Sequence, residues 1–129
     1  MLICIKWALT SDRVQVWSTH RIEETQVENL RQEDFPRFIA DNKVALVDFH
    51  ATWCGPCRAM EHVIEALRRE FSGIAGIAKV DVDESPGLAK TFGIQAIPTI
   101  ILFKDGKLVE QLSGSRTQDE LAQKLQTLS

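Results

Sequence analysis

The chain has no tyrosine, and only three cysteines, three histidines and two methionines in 129 residues. Three is an odd cysteine count with a single close pair, Cys54 and Cys57, and Cys4 far from both. A secreted framework of paired disulfides is thereby excluded, and a reducing, cytoplasmic setting is expected. No apolar run approaches the roughly 18–20 residues that a membrane span needs. Charge of one sign is lacking too: 15 Lys and Arg stand against 18 Asp and Glu, interspersed, for a net charge of −3. That balance carries neither the footprint of a nucleic-acid binder nor a polybasic membrane patch. The first nine residues are apolar but interrupted by Lys6, with no basic leader and no small-residue cleavage site, so no secretory signal is expected. What is present is a composition 44% hydrophobic, which suits one globular domain around one core. There is no internal repeat, low-complexity segment or internal linker.

Residues 1–22 differ from the rest. Ile3, Ile5, Trp7 and Leu9 alternate with Cys4, Lys6 and Ala8, and Val14 and Val16 flank Gln15. The turn-forming Thr10-Ser11-Asp12-Arg13 lies between these runs, so a β-hairpin extension is one reading and a frayed terminus the other. A domain over 23–129 follows. Gln26–Leu30 is a weak strand. Asp34–Ala40 is a short helix with Phe35, Phe38 and Ile39 on one face. Lys43–Phe49 is a short, apolar, β-branched strand, and Cys54–Phe71 is a helix in which Met60, Val63, Ile64, Leu67 and Phe71 recur at helical spacing. Ser72-Gly73 stops it. Ile74–Val82 is a strand with Ala78, Val80 and Val82 on one face. Ser85 and Pro86 open a helix that ends before Gly93. Pro98–Phe103 and Lys107–Leu112 flank Asp105-Gly106, a strong hairpin signal. A last helix starts at Thr117, with Glu120 three residues on as a capping box. Strands alternating with helices and then a hairpin predict an α/β fold, a mixed sheet with helices on both faces.

The chemistry concentrates in Trp53-Cys54-Gly55-Pro56-Cys57. The motif joins a buried strand to a helix, with Cys54 near the helix N-terminus. Unpaired N–H groups and the helix dipole favour an anion there, so the Cys54 thiol is expected to be acidic and nucleophilic. Cys57 lies one turn on, within reach of a disulfide, and Pro56 costs little in a first helical turn. This geometry suits reversible dithiol–disulfide exchange. Half of a zinc site is the alternative. However, a structural site needs four N/S ligands, and Cys4, His20, His50 and His62 include no second close pair, so no metal is expected.

From about Val27 onward the chain resembles the thioredoxin family. The resemblance rests on Trp-Cys-Gly-Pro-Cys after Val47-Asp48-Phe49, with Ile97-Pro98-Thr99 some forty residues later. It implies the thioredoxin fold and a protein-disulfide reductase. Cys54 would attack the substrate disulfide and Cys57 would release the reduced substrate from the mixed disulfide. Asp48 matches the buried acid that accepts the proton of the resolving cysteine, and Lys79 the lysine that pairs with that acid. Read from the residues alone, Asp48 is an acid in a strand apolar on both parities, where burial would raise its pKa. An outward-facing acid and a solvated strand lysine are the plainer readings.

Pro98 matches a cis-proline facing the disulfide, though it would also serve as a strand opener. With Ile97 it would present backbone groups to a substrate docking as an added strand. Gly114 matches the glycine across this groove. Trp53 would form its aromatic wall, unless it is a core residue, and Gly55 and Pro56 lie at its centre. The resemblance also implies disulfide-containing protein substrates, no bound cofactor, and electrons from NADPH through a flavin-containing thioredoxin reductase.

Two residues depart from the family's pattern. His50 stands where an aromatic residue is usual, and His62 where a helix-kinking proline is usual. An imidazolium at His50, close to Cys54, would favour the thiolate further; a polar filler at the site rim is the other reading. His62 reads as solvated. Rival functions are a thioredoxin-fold scaffold serving one partner, and an oxidase or isomerase, against which Gly55-Pro56 argues by the same resemblance. The sequence leaves a monomer, or a dimer formed through the N-terminal extension.

Overall fold

A computed structural model describes residues 27–129. The expected hairpin over 1–22 and Cys4 lie outside the described residues. The elements run β1 (Glu28–Asn29), α1 (Phe35–Asp41), β2 (Val44–His50), α2 (Gly55–Glu70), β3 (Gly76–Asp81), α3 (Pro86–Thr91), β4 (Thr99–Lys104), β5 (Lys107–Ser113) and α4 (Gln118–Leu128). Every element expected within this span is present, with ends shifted by at most two residues. Five strands form one sheet in the order β1-β3-β2-β4-β5. β1 and β2 pair with β3 in parallel, and β4 runs antiparallel to both β2 and β5. The sheet is therefore mixed, with β2 at its centre between β3 and β4.

Side-chain alternation on β2 assigns its two faces. Val44 and Leu46 point to one, where Ile77, Ile100 and Leu102 join Met60, Ile64 and Leu67 of α2 and Leu121 and Leu125 of α4. Ala45, Val47 and Phe49 point to the other, against Phe35 and Ile39 of α1 and Leu88 of α3. Phe92 lies 5.4 Å from Phe35 and 5.9 Å from Phe49 between ring centroids, so this second layer is a cluster of tilted and edge-on rings.

Local chemistry ends the elements. At the β4–β5 turn both Asp105 (φ 52°) and Gly106 (φ 79°) are left-handed, which is what a two-residue type I′ hairpin requires. A bulge between Leu102 and Phe103 shifts the register of this ribbon. The Thr117 hydroxyl accepts from the Glu120 amide at 3.2 Å, but the Glu120 carboxylate takes Arg116 at 3.1 Å, so only half of the expected capping box forms. Ser85 caps α3 without a side-chain hydrogen bond. The Asp81 carboxylate instead accepts the amides of Asp83 and Glu84 in the turn before it, at 2.8 and 3.3 Å. With histidine at position 62, α2 continues unbroken for 16 residues, its amide ladder intact where a proline would have removed a donor.

Candidate active site

The motif falls where β2 ends and α2 begins. Cys54 is the N-cap of α2, with extended backbone (φ −87°, ψ 115°), and its sulfur accepts the Cys57 amide at 3.2 Å. One of the helix's orphan N–H groups is therefore aimed at this sulfur, which favours a thiolate there when the pair is reduced. Cys54 and Cys57 form a disulfide, with Cα atoms 5.3 Å apart. Both are buried. Pro56 sits in the first turn, and a Cβ placed on Gly55 would meet no atom within 4 Å. Arg58, which sequence reasoning did not single out, fastens the loop by donating twice to the Thr52 carbonyl, at 3.3 and 3.1 Å.

Around the disulfide, the Ile97–Pro98 peptide is cis and the Cys54 sulfur lies 3.9 Å from the Ile97 carbonyl oxygen. Gly114 donates its amide to the Pro98 carbonyl at 2.8 Å from a left-handed backbone (φ 88°) that a side chain would strain. Trp53 is 68% exposed, so a core role for it is excluded. Its indole N–H donates to the Asp83 carboxylate at 2.7 Å. Asp83 was not legible beforehand as a site residue, since nothing in the sequence ties it to a tryptophan thirty positions away.

Asp48 is buried on the α2 face of β2, not outward. It lines a cavity of about 280 Å³ together with Cys57, His50, Glu61, His62 and Lys79, among others. Desolvation pushes its pKa up to about 7; Lys79 opposes that shift and Glu61 adds to it. Lys79 is the direct register partner of Asp48 across β2–β3, although no ion pair within 4 Å joins them. Of the two readings of His50, the charged one is disfavoured. His50 shares the cavity with Cys57, and burial, aided by Lys79, holds its pKa below the ordinary value. His62 is exposed and stands at the cavity's edge. Glu61 was missed, though its position one turn after Cys57 on an amphipathic helix was the available signal.

A nucleophile-type sulfur at a helix cap, a second sulfur sharing a cavity with a buried acid, and a cis Ile97–Pro98 peptide whose Ile97 carbonyl lies beside Cys54 define a dithiol–disulfide exchange site. Comparison with known proteins agrees. The thioredoxin family model matches residues 26–127. The chain is 49% identical over 84 residues to thioredoxin 2 of Chlorobaculum tepidum, covering 65% of this chain and 77% of that one. It superposes on a thioredoxin variant from Halobacterium salinarum NRC-1 with a TM-score of 0.74 at 36% identity, over 81% of this chain and 91% of that one. For oxidised mitochondrial thioredoxin 3 of Saccharomyces cerevisiae the TM-score is 0.72 at 34% identity, over 79% and 95%. The chain belongs to the thioredoxin family, protein-disulfide oxidoreductases with a redox-active cysteine pair, here Cys54 and Cys57.

Proposed function

We propose that the chain is a protein-disulfide reductase in which Cys54 attacks and Cys57 resolves. The observation that carries this division of labour is the asymmetry of the two sulfurs: Cys54 caps α2 and accepts an amide, whereas Cys57 lines the cavity with Asp48. In the reduced protein the Cys54 thiolate attacks a substrate disulfide, forming one S–S bond and expelling one substrate thiolate. Asp48 then takes the proton of Cys57. The Cys57 thiolate attacks Cys54, the second substrate thiolate leaves, and the two electrons of the dithiol end in the substrate. A carboxyl group with a pKa near 7 is matched to proton exchange at neutral pH. Lys79, opposite Asp48, moderates that pKa.

Trp53, Gly55, Pro56, Ile97, Pro98 and Gly114 form the substrate groove in this reading. Ile97 and Pro98 supply backbone groups, and Gly55 and Gly114 leave room for the substrate's backbone. Disulfide-containing proteins are the substrates. NADPH supplies electrons through a thioredoxin reductase, and the setting is the cytoplasm. Support for that setting is the cysteine usage; in addition, no helix among the described residues is long and apolar enough to cross a membrane. Residues 1–22 act as an extension outside the catalytic domain of 23–129, and any dimer would form through them.

Insulin reduction tests the function. The wild-type protein should accelerate reduction by dithiothreitol, and Cys54→Ser should abolish that acceleration, by at least about 1,000-fold. Iodoacetamide should label Cys54 before Cys57, and Cys57→Ser should trap mixed disulfides. Preferential labelling of Cys57 would reverse the two roles. The scaffold alternative requires the double serine variant to retain biological activity.

A further inference from the structure

The α2-facing side of β2 changes character along its length. In register with β3, Leu46 lies opposite Ile77, Asp48 opposite Lys79, and His50 opposite Asp81. One apolar pair is therefore followed by two polar ones, all on the side that faces α2. Among the described residues, two buried side-chain atoms have no hydrogen-bond partner, Asp48 Oδ1 and His50 Nε2. Buried polar atoms are nearly always paired, and an unmet one costs about 1–3 kcal/mol. These two belong to residues of one strand face, about 7 Å apart along the backbone by strand geometry, and both residues line the cavity that Cys57 closes from the α2 side. The cavity is lined by polar as well as apolar side chains and, at about 280 Å³, has room for water.

We propose that His50 is a positioning residue for the Asp48 proton: it takes that proton across the cavity after Cys57 has been deprotonated, and passes it to solvent. The inference rests on the resolving role proposed for Cys57. The proton count closes. Cys57 gives its proton to Asp48, the Cys57 thiolate forms the disulfide with Cys54, and the departing substrate thiolate carries the electron pair away. Asp48 hands its proton to the unprotonated ring nitrogen of His50, whose imidazolium then loses one to water. Asp48 and His50 thereby return to their starting states.

The surrounding charges suit this role. His50 faces Asp48 on its own strand, Lys79 and Asp81 on β3, and Glu61, His62 and Glu65 on the α2 side of the cavity; Glu84 acts from the turn after β3. Desolvation and Lys79 prevail over Asp81, Glu61 and Glu84 and hold the imidazole below its ordinary pKa, so it is neutral and able to accept at neutral pH. His62 and Glu61, both exposed, stand where the cavity meets solvent. An aromatic residue at position 50 would offer no such acceptor.

A single-turnover reaction of the reduced full-length protein with a chromogenic bis(nitrobenzoate) disulfide separates the steps. The first thiolate released reports attack by Cys54, and the second reports resolution by Cys57. For both His50→Gln and His50→Phe, the first phase should stay within about twofold of wild type. The second should slow about tenfold between pH ~6 and ~7, converging with wild type near pH ~9, where hydroxide removes the Cys57 proton directly. Free imidazole should restore the second phase of His50→Ala. In an Asp48→Asn background, substituting His50 should have no further effect. Superimposable pH profiles for the second phase, equal loss in both phases, or an effect undiminished by Asp48→Asn would each overturn the relay. If His50→Phe does not fold, the same readouts apply to His50→Gln, which keeps the polarity but cannot titrate. A wild-type protein that releases only the first thiolate would overturn the Cys57 cycle itself, and the relay with it.

Discussion

The two faces of β2 follow opposite rules. On one, Ala45, Val47 and Phe49 are fully buried in an apolar cluster with residues of α1 and α3. On the other, Val44 and Leu46 begin the same way, but Asp48 and His50 finish the face with polar groups, each of which has one buried atom without a hydrogen-bond partner. The strand is equally inaccessible at Phe49 and Asp48, at 0% and 2% exposure, yet burial works for stability at one and against it at the other. The aromatic face lowers the folding free energy by removing ring surface from water. The polar face gives up part of that stability to hold a carboxyl group whose pKa is suited to neutral pH.

That contrast can be broken from either side. Phe49→Ala should have the largest effect on stability, a loss of about 3–5 kcal/mol, because it removes a fully buried ring that packs edge-on against Phe92. Denaturant unfolding would measure it, and the rate at which iodoacetamide labels Cys54 in the folded protein should not change. A changed rate would mean that the aromatic face also tunes the site. Asp48→Asn should do the reverse. The folded state binds the Asp48 proton more tightly than the unfolded chain does, since burial raises the pKa from 3.8 to about 7. The stability this site contributes is therefore full below about pH 4 and is lost as pH rises through about 7. Between those limits the variant should gain on wild type by about 4 kcal/mol, read as a widening difference in unfolding free energy, while resolution of the mixed disulfide slows. A difference that stays flat with pH would mean that Asp48 titrates like a solvated acid. The smallest effect is expected at a residue belonging to neither face. Thr117→Ala removes the hydroxyl that accepts the Glu120 amide and should cost about 1 kcal/mol at every pH, with turnover unaffected. A pH-dependent loss there would show that the slope is not peculiar to the polar face.

The sequence by itself determined the elements and the reacting pair. Periodicity placed α2 and its apolar stripe, Asp105-Gly106 placed the hairpin, and Thr117 placed the start of α4, because each of these depends on groups close in the chain. The two sulfurs are likewise three residues apart, and Cys54 at a helix start follows from a strand and a helix meeting there. The tertiary structure alone decided what surrounds each polar residue. Asp48 read as buried from the apolar residues on both sides of it, with an outward acid as the plainer reading until the register set it over α2, and His50 read either as a charged neighbour of Cys54 or as a polar filler at the site rim until the fold placed it with Cys57 in a cavity that disfavours its charge. Asp83 could be tied to Trp53 only by folding, since thirty residues separate them, and the Ile97 carbonyl beside Cys54 followed from the family resemblance and from no local pattern. The physical reason is common to all of these. Hydrogen bonding within a turn of helix or a hairpin is local, but desolvation and charge–charge energies depend on which distant surfaces close over a group.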